Sequence, residues 1–273
     1  MLEINNLRIS IAGRTLVKID HLAAAQGERL GLVGESGSGK TLTVLSILGL
    51  LPPMMDVEGS IIFAGQELLG KSENDLAKIR GRDIAMVFQD PSRSLNPTMK
   101  VGRQVGETLH LHMKLSKAEI AQKVLELLHS VQLQDPEKLV SRYPHELSGG
   151  QQQRVMIASA IACKPKLLIA DEPTTALDVT VQQGVLKLLL QLSQESDMAM
   201  IFVSHNLGVV QAVSERIAVM HKGEIVELGT TAQILDSPSA TYTKELIGAN
   251  PSIPDAQELS RLLGTRFPTG KGV

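Results

Sequence analysis

The sequence predicts an α/β domain built around a mostly parallel sheet. Short runs of strand length, rich in apolar residues, alternate with amphipathic segments of helical length, a pattern that favours parallel strands joined by helices. Several of the strand candidates are apolar almost throughout, as expected of strands that are covered on both faces. Sheets of this kind bind ligands at the carboxyl ends of their strands, and the chemistry-bearing motifs of this chain follow such strands.

The first sixty residues read as strands with one helix among them. The expected strands lie at residues 2–10, 29–33 and 59–63. A helix is expected to begin within residues 34–41 and to continue from Lys40 until Pro52-Pro53 stops it, because proline lacks the N–H that a helix interior needs.

A helical pattern replaces the strand pattern between residues 96 and 163. Ser116 and Glu119 form a capping box at a helix start, and apolar residues then recur every three or four positions from Ile120 to Val131. Strand patterns resume only at residue 166, so we expect an all-helical insertion between two halves of the sheet.

Strands and one long helix alternate again after the insertion. We expect strands at residues 166–170 and 198–203, a helix at 179–193, and a hairpin at 217–228 that turns at Lys222-Gly223. After about residue 237 prolines accumulate and periodicity is lost. The predicted domain therefore spans residues 1–240, and the tail at 241–273 is expected to be only partly ordered.

Composition excludes several classes of function. A net charge of −2 over 273 residues leaves no broad basic face, which argues against nucleic acid as a partner. Cys163 is the one cysteine, so neither an internal disulfide nor a cysteine-ligated metal cluster is expected. Since no apolar run approaches 18 residues, the length of a membrane-spanning helix, we expect a soluble chain that reaches a membrane only through another protein.

The first motif with a definite chemistry, here called the phosphate loop, is Gly34-Glu35-Ser36-Gly37-Ser38-Gly39-Lys40-Thr41. Its glycines let backbone N–H groups converge on a phosphate at a helix start, where the helix dipole favours an anion. Lys40 suits neutralisation of the β and γ oxygens, and the Thr41 hydroxyl suits Mg²⁺. The motif requires a strand before it and a helix after it, and the predicted helix adds Thr43 as a further nucleotide-binding candidate.

Two adjacent carboxylates, Asp171 and Glu172, end an apolar strand at the same edge of the sheet. Asp171 suits the organisation of Mg²⁺ and its waters, and Glu172 suits polarisation of the water that attacks the γ-phosphate. Such a pair standing alone would be read as a solvated strand end. Beside a phosphate loop, the pair instead predicts a hydrolytic site.

The third motif, here called the signature loop, is Leu147-Ser148-Gly149-Gly150-Gln151, and it opens a helix. Ser148 is a good N-cap and the two glycines leave the backbone bare, so this is a second helix end suited to an anion. An ordinary capped helix is the simpler interpretation, but a pentapeptide of this composition is rare. Two phosphate cradles in a chain with one nucleotide imply that two chains meet head to tail.

With these motifs the chain resembles ABC transporter ATPases over about residues 1–240. The resemblance implies a P-loop NTPase core with a mostly parallel sheet, an antiparallel β-subdomain, and an inserted all-helical subdomain that carries the signature loop. It also implies ATP and Mg²⁺ as cofactors. The nucleotide-binding residues of the signature loop, which face ATP on the opposite subunit, would be Ser148, Gly149, Gly150 and Gln151.

The remaining positions of the family pattern are matched residue by residue. Gln89 matches the glutamine that contacts Mg²⁺ and senses the γ-phosphate, and Ala176-Leu177-Asp178 matches the D-loop at the dimer seam. His205 matches the switch histidine, so Glu172, Gln89 and His205 are the predicted catalytic residues. The metal ligands that the resemblance implies are Thr41, Gln89 and Asp171.

One position departs from the family pattern. The aromatic residue that members usually stack on adenine, about 23 residues before the phosphate loop, is here Ile11. Without a ring to stack on the base, we expect loose base selectivity and measurable hydrolysis of GTP.

Longer stretches resemble one branch of the family, the importers of oligopeptides, dipeptides and nickel. They are residues 89–97, 143–146 and 170–180. The branch implies integral membrane permease subunits, a second ATPase subunit that is identical or related, and an extracytoplasmic solute-binding protein. The chain would then lie on the cytoplasmic face of the cell membrane, and peptides and nickel or metal chelates both remain open as cargo.

A cysteine cluster that binds iron and sulfur, found in the tail of some members, has no counterpart here. The rival interpretation is a non-transport ABC ATPase in DNA repair or translation. The single cassette, the lack of a long coiled-coil insertion and the near-neutral charge argue against it.

Overall fold

A computed structural model describes residues 1–175 and 177–249. The strands are β1 (Leu2–Ile11), β2 (Arg14–Ala24), β3 (Arg29–Val33), β4 (Met55–Phe63), β5 (Gln66–Glu67), β6 (Ile84–Val87), β7 (Leu167–Asp171), β8 (Ala199–Ser204), β9 (Arg216–His221) and β10 (Glu224–Thr230). The helices are α1 (Lys40–Ile47), α2 (Glu73–Ala77), α3 (Pro91–Ser94), α4 (Val101–His112), α5 (Lys117–Ser130), α6 (Pro136–Leu139), α7 (Gly149–Ile161), α8 (Val179–Ser196), α9 (Leu207–Val213), α10 (Thr231–Asp236) and α11 (Thr241–Gly248). In the described part of the chain, no helix is long and apolar enough to cross a lipid bilayer.

All ten of these strands form one mixed sheet in the order β5-β4-β1-β2-β10-β9-β3-β8-β7-β6. From β9 to β6 every neighbouring pair is parallel, whereas β2, β1, β4 and β5 pair antiparallel. The two parts meet where β10 touches β2 through the single pair Glu224 and Lys18. The predicted α/β class, with a parallel core and an antiparallel subdomain, is confirmed.

The core lies on both faces of the parallel strands. In β8 the side chains of Met200 and Phe202 belong to the buried cluster that also contains residues of α7, α8 and α9. Ile201 and Val203, between them in sequence, pack on the opposite face against α1. Because successive side chains of a strand alternate between faces, strands that are apolar throughout are the ones that fit this central position.

The helices α3 to α7 leave the sheet at β6 and return to it at β7, its direct parallel neighbour. The capping box predicted for the start of α5 is present: Glu119 N donates to Ser116 Oγ at 3.3 Å, and Ser116 N donates to Glu119 Oε2 at 2.7 Å. This helical insertion carries the signature loop, while its connection to β6 carries Gln89.

Three elements differ from the sequence-based expectations. Helix α1 ends at Ile47 rather than at Pro52, because the chain turns at Gly49, whose φ of 62° favours glycine. Strand β2 was not expected, although Val17 and Ile19 are buried in regular alternation. After residue 237, where only partial order was expected and no helix was assigned, α11 packs on the domain with Leu246 in its core.

Candidate functional site

The phosphate loop connects the end of β3 to the start of α1. Gly39 adopts a φ of 105°, a conformation that glycine tolerates and other residues do not. A Cβ added to Gly34 would collide with the backbone carbonyl oxygen of Met220. Both glycines are therefore required for the loop to fold over the turn between β9 and β10, where Gly223 N donates to the Ser38 carbonyl oxygen at 2.9 Å.

The Lys40 side chain is buried inside the phosphate loop, with 5% of the residue exposed. Its Nζ donates to the carbonyl oxygens of Gly34 at 2.7 Å and Glu35 at 2.8 Å. Burial lowers the pKa of Lys40, while the nearby charges of Glu172 and Asp171 act in the opposite direction. The loop thus holds a concentrated positive charge close to its own backbone.

A cleft of about 680 Å³ opens beside the phosphate loop, which is within the usual range for small-molecule sites. Its walls include residues that follow four strands: Gln89 after β6, the phosphate loop after β3, Glu172 after β7 and His205 after β8. Strands β7 and β8 are parallel neighbours in which Asp171 lies opposite Val203. The sheet therefore brings these residues to one edge, as the sequence predicts.

The carboxylate of Glu172 is the centre of a hydrogen-bond network at this edge. Gln89 Nε2 and Thr175 Oγ1 each donate to its Oε2 at 3.0 Å, and His205 Nδ1 lies 3.0 Å from its Oε1. The backbone of Glu172 has a φ of 47°, which is uncommon for a residue with a side chain and concentrates at functional sites. All three predicted catalytic side chains are thus in contact.

Thr175 was missed by the sequence analysis. It follows Glu172 by three residues, and its backbone N–H donates to the Glu172 carbonyl oxygen at 3.2 Å, so a turn folds its hydroxyl back onto the carboxylate. The Thr-Thr pair after Pro173 belongs to the family-like stretch at residues 170–180, and its spacing alone contains no sign of this turn.

Asp171 lies beneath the cleft with 5% of the residue exposed. Its Oδ1 is buried without a hydrogen-bond partner. Burial has the largest effect on the pKa of Asp171 and raises it, and the nearby Thr41 hydroxyl acts in the opposite direction. Among residues 1–175 and 177–249 no group of three or more His, Cys, Asp or Glu could hold a metal by itself, so any cation here depends on a ligand that brings further oxygens.

The signature loop lies apart from this cleft, since none of residues 147–151 lines it. Ser148 caps α7 by accepting from Gln151 N at 3.3 Å, and Gln151 Oε1 accepts from Ser148 N at 3.0 Å. The helix end predicted from the sequence is therefore formed, and it lies outside the lining of the chain's own cleft.

Ser38, Thr43 and Asp178 were also predicted to bind the nucleotide, and their side chains do not line the cleft either. The Thr43 hydroxyl is turned inward and donates to the Gly39 carbonyl oxygen at 3.0 Å, and the residue is 1% exposed. Asp178 caps α8, with Val181 N donating to its Oδ1 at 3.0 Å. The D-loop that the sequence places at residues 176–178 includes Ala176, which lies outside the described residues.

Comparison with known proteins agrees with this geometry. The family model described as ABC transporter matches residues 17–175, which is more than half of the chain. Among solved structures, a dimeric post-hydrolysis state of the ATP-binding cassette MJ0796 bound to ADP and Pi superposes with a TM-score of 0.75 at 30% identity, over 85% of this chain and 99% of that one. The chain therefore belongs to the ABC transporter family, as an ATPase of the ATP-binding cassette type.

Curated relatives place the similarity within one branch of that family. The chain is 49% identical over 257 residues to the peptidoglycan transport ATP-binding protein YejF of Agrobacterium fabrum, covering 92% of this chain and 47% of the relative. It is 48% identical over 244 residues to the oligopeptide transport ATP-binding protein OppD of Bacillus subtilis, covering 88% and 68%. It is 45% identical over 240 residues to the metal-staphylopine import system ATP-binding protein CntD of Staphylococcus aureus, covering 88% and 89%.

This chain spans about half the length of the YejF relative. By name, the three relatives are ATP-binding proteins of peptidoglycan transport, oligopeptide transport and metal-staphylopine import. They support the importer branch that the sequence motifs predict over the rival role in DNA repair or translation.

Proposed function

We propose that this protein is the ATP-hydrolysing subunit of an importer for peptides or metal chelates, peripheral on the cytoplasmic face of the cell membrane. One observation carries the proposal. Lys40, Gln89, Glu172 and His205 line one cleft, while the signature loop of the same chain lies outside it. That arrangement fits a nucleotide site that is completed by the signature loop of a second ATPase subunit, and transporters of this family contain such pairs of ATPase subunits.

ATP binding is assigned to the phosphate loop. The N–H groups at the start of α1, with Gly37, Ser38 and Gly39 before them, provide donors for the β-phosphate. The Lys40 ammonium, held 2.7 Å from the Gly34 carbonyl oxygen, is placed to move onto the β and γ oxygens when the nucleotide enters. Glu172 lines the same cleft, and its negative charge would repel the phosphates. The positive charge of Lys40 offsets this repulsion.

The residues beside the phosphate loop fit Mg²⁺. Mg²⁺ prefers six oxygen ligands and keeps several waters, so one carboxylate together with phosphate oxygens is a common protein site. The unpartnered Oδ1 of Asp171, the Thr41 hydroxyl and the amide oxygen of Gln89 are oxygen donors of this kind. These residues would hold the cation, and the chemistry it would supply is neutralisation of the negative charge that develops on the phosphate oxygens.

Hydrolysis is assigned to Glu172. A carboxylate placed beside the γ-phosphate can accept a proton from the attacking water, and here it lies at the cleft surface within hydrogen-bond distance of Gln89 and His205. His205 is a positioning partner in this assignment, since its contact with Glu172 fixes the carboxylate. Gln89 connects the same carboxylate to the helical insertion.

A second chain is assigned to close the site. The N–H groups at the start of α7 and the Ser148 side chain can bind the γ-phosphate held by a partner's Lys40. ATP then joins the two chains and ADP does not, because only ATP has the group that both chains contact. The dimeric MJ0796 structure with ADP and Pi supports such pairing within the family.

The permease is proposed to dock in a groove of about 380 Å³ between β6 and the helical insertion. Leu50 and Phe88, with 41% and 39% of their surfaces exposed, are large apolar residues on its rim. Met99 and Glu107 line the other wall. Exposed apolar side chains framed by polar ones mark interaction sites, and the groove begins next to Gln89, so a membrane-subunit helix bound there would be coupled to the nucleotide cleft.

The test is co-expression of the chain with the permeases and binding protein encoded beside it, followed by reconstitution in vesicles. The expected result is uptake of the ligand that the binding protein retains, driven by ATP on the side of this chain. Lys40→Ala should abolish uptake, whereas Lys164→Ala, at an exposed turn remote from the cleft, should not. A chain that hydrolyses ATP but never joins a permease would overturn the importer assignment.

A further inference from the structure

The carboxyl-terminal helix α11 is connected to the phosphate loop by one tyrosine. The Tyr242 hydroxyl accepts a hydrogen bond from the backbone N–H of Glu35 at 3.1 Å. The Tyr242 ring packs on the His221 ring, with 3.9 Å between centroids and 34° between planes. The ring contact fixes where the hydroxyl lies, so the hydrogen bond does not depend on a freely rotating side chain.

The Glu35 N–H belongs to the same peptide group as the Gly34 carbonyl. That carbonyl oxygen is the one that accepts from Lys40 Nζ at 2.7 Å. The Tyr242 hydroxyl and the Lys40 ammonium therefore bind opposite ends of one peptide group and set its plane. Hydrogen bonds in such a chain strengthen one another, because each polarises the group between them.

The start of α11 is fixed by a carboxylate on strand β10. Glu227 accepts from Ser239 N at 2.7 Å, from Ser239 Oγ at 2.8 Å and from Ala240 N at 3.1 Å. Burial alone would raise the pKa of Glu227, but these hydrogen bonds, together with one from Thr243, outweigh burial and lower the pKa to about 2. The carboxylate thus serves as an N-terminal cap supplied from another element.

The far end of α11 reaches the nucleotide cleft. Leu246 and Ala249 line it together with Glu172 and His205, and Leu246 also belongs to the buried core. Helix α11 is thus capped at its start, stacked on His221 through Tyr242 in its first turn, and packed into the core near its end, which places it against the phosphate loop.

From these contacts we infer that Tyr242 is a positioning residue for the nucleotide. By accepting the Glu35 N–H it orients the first peptide group of the phosphate loop, and so sets the place from which Lys40 and the following N–H groups meet the phosphates. The inference rests on the proposed ATP site. It assigns to α11, a segment in which the sequence shows no nucleotide motif, a share in nucleotide affinity.

The test is Tyr242→Phe, which keeps the ring on His221 and removes only the hydroxyl. A neutral hydrogen bond of this kind contributes enough to change an equilibrium constant about 3- to 10-fold. We therefore expect the dissociation constant for ATP, and the KM of the turnover reaction, to rise about 3- to 10-fold while kcat stays within about twofold. Amide exchange at Glu35, measured without nucleotide, should become faster.

Controls separate this role from general stability. Tyr143→Phe removes the hydroxyl of the one other tyrosine in the chain, which does not line the cleft, and should leave ATP affinity unchanged. The thermal midpoint of nucleotide-free Tyr242→Phe should match that of the wild type. A dissociation constant equal to the wild-type value would overturn the inference, as would an equal loss of kcat. If the wild type itself binds no ATP, the proposed function fails instead.

Discussion

The imidazole Nδ1 of His205 lies 3.0 Å from Oε1 of Glu172. The two residues follow β8 and β7, neighbouring parallel strands, so the sheet itself sets their approach. Because Gln89 and Thr175 hold the other carboxylate oxygen, Glu172 has no freedom to turn away from the cleft. A single carboxylate is thereby linked to the turn after β7 through Thr175, to the end of β8 through His205, and to the connection into the helical insertion through Gln89.

Glu172→Gln should separate binding from chemistry. The amide is the same size as the carboxylate but cannot accept a proton at neutral pH, so ATP turnover should fall by about 100-fold or more, the range for loss of a general base. ATP affinity should change by less than about threefold, and ATP should hold the paired state for longer. Steady-state hydrolysis and nucleotide titration measure the two quantities.

The matched control for that variant is Glu195→Gln, an exposed glutamate on α8 that does not line the cleft. It should hydrolyse ATP at the wild-type rate. Turnover by Glu172→Gln close to the wild-type rate would remove Glu172 from the role of base.

Asp171→Asn should stabilise the nucleotide-free protein while it removes the response to Mg²⁺. Asp171 is a buried carboxylate with an unpartnered oxygen, and burial of a charge without full pairing is unfavourable. The neutral amide avoids that cost, so the thermal midpoint without nucleotide should rise or stay level. Stimulation of hydrolysis by Mg²⁺ should fall by about 100-fold. A wild-type response to Mg²⁺ titration would exclude Asp171 as a ligand.

Ser148→Asp should block pairing and leave ATP binding intact. Aspartate caps helices as well as serine does, so α7 should remain folded, but its charge would repel a partner's γ-phosphate. In the slow Glu172→Gln background, sedimentation with ATP and the natural partner chain should show the unpaired species. Ser116→Asp, which replaces the equivalent cap of α5, is the control and should pair normally.

Nucleotide competition tests the consequence of Ile11. With no ring at this position, we expect the affinities for GTP and ATP to differ by less than about tenfold. GTP should therefore compete with ATP and should itself be hydrolysed. Ile11→Tyr should increase the affinity for both, since one stacking contact contributes about 0.5–1.5 kcal/mol. A strict preference of the wild type for ATP would show that residues other than the one at position 11 select adenine over guanine.

Glu227→Gln should weaken the attachment of α11 to β10 and so lower the free energy of unfolding. The size of that loss should depend on pH in a defined direction. The pKa of Glu227 is lowered to about 2 in the folded protein, so its contribution to the free energy of unfolding is complete above about pH 4.5 and is lost as the pH falls through 2. Much of this carboxylate is near solvent, which limits the contribution to about 1 kcal/mol.

Denaturant unfolding at pH 7 and pH 5 measures the difference in free energy of unfolding between the wild type and Glu227→Gln. The difference should be the same at both pH values. Glu224→Gln on the same strand, whose carboxylate lies 3.9 Å from Lys18 at the surface, serves as the control and should be close to neutral. If the wild type and Glu227→Gln already have the same free energy of unfolding at pH 5, the lowered pKa of Glu227 is contradicted.

Residues that follow strands in a parallel sheet could be predicted from the sequence, because the topology alone brings them together. Lys40, Glu172 and His205 belong to this group, and the cleft contains all three. Thr175 could not be found in this way, since its contact depends on the backbone turn at Glu172. Tyr242 could not be found either, because its contact with Glu35 joins residues 207 positions apart.

The differences between the predicted and the observed secondary structure also have local causes. Strand β2 alternates buried Val17 and Ile19 with the charged Lys18 and Asp20, and the charges obscured a strand pattern that was present. Helix α1 was extended to Pro52 because proline is the stronger stop signal in a sequence. Gly49, with its left-handed backbone, ends the helical region first.

The helical insertion departs from Val87 and re-enters at Leu167, on strands that already lie side by side. Another insertion that covers β6 as α7 does could be joined at these two points without a change in the pairing of the two strands. Chimaeras built at these two joints would therefore keep the phosphate loop of this chain while they exchange the helices that surround its signature loop.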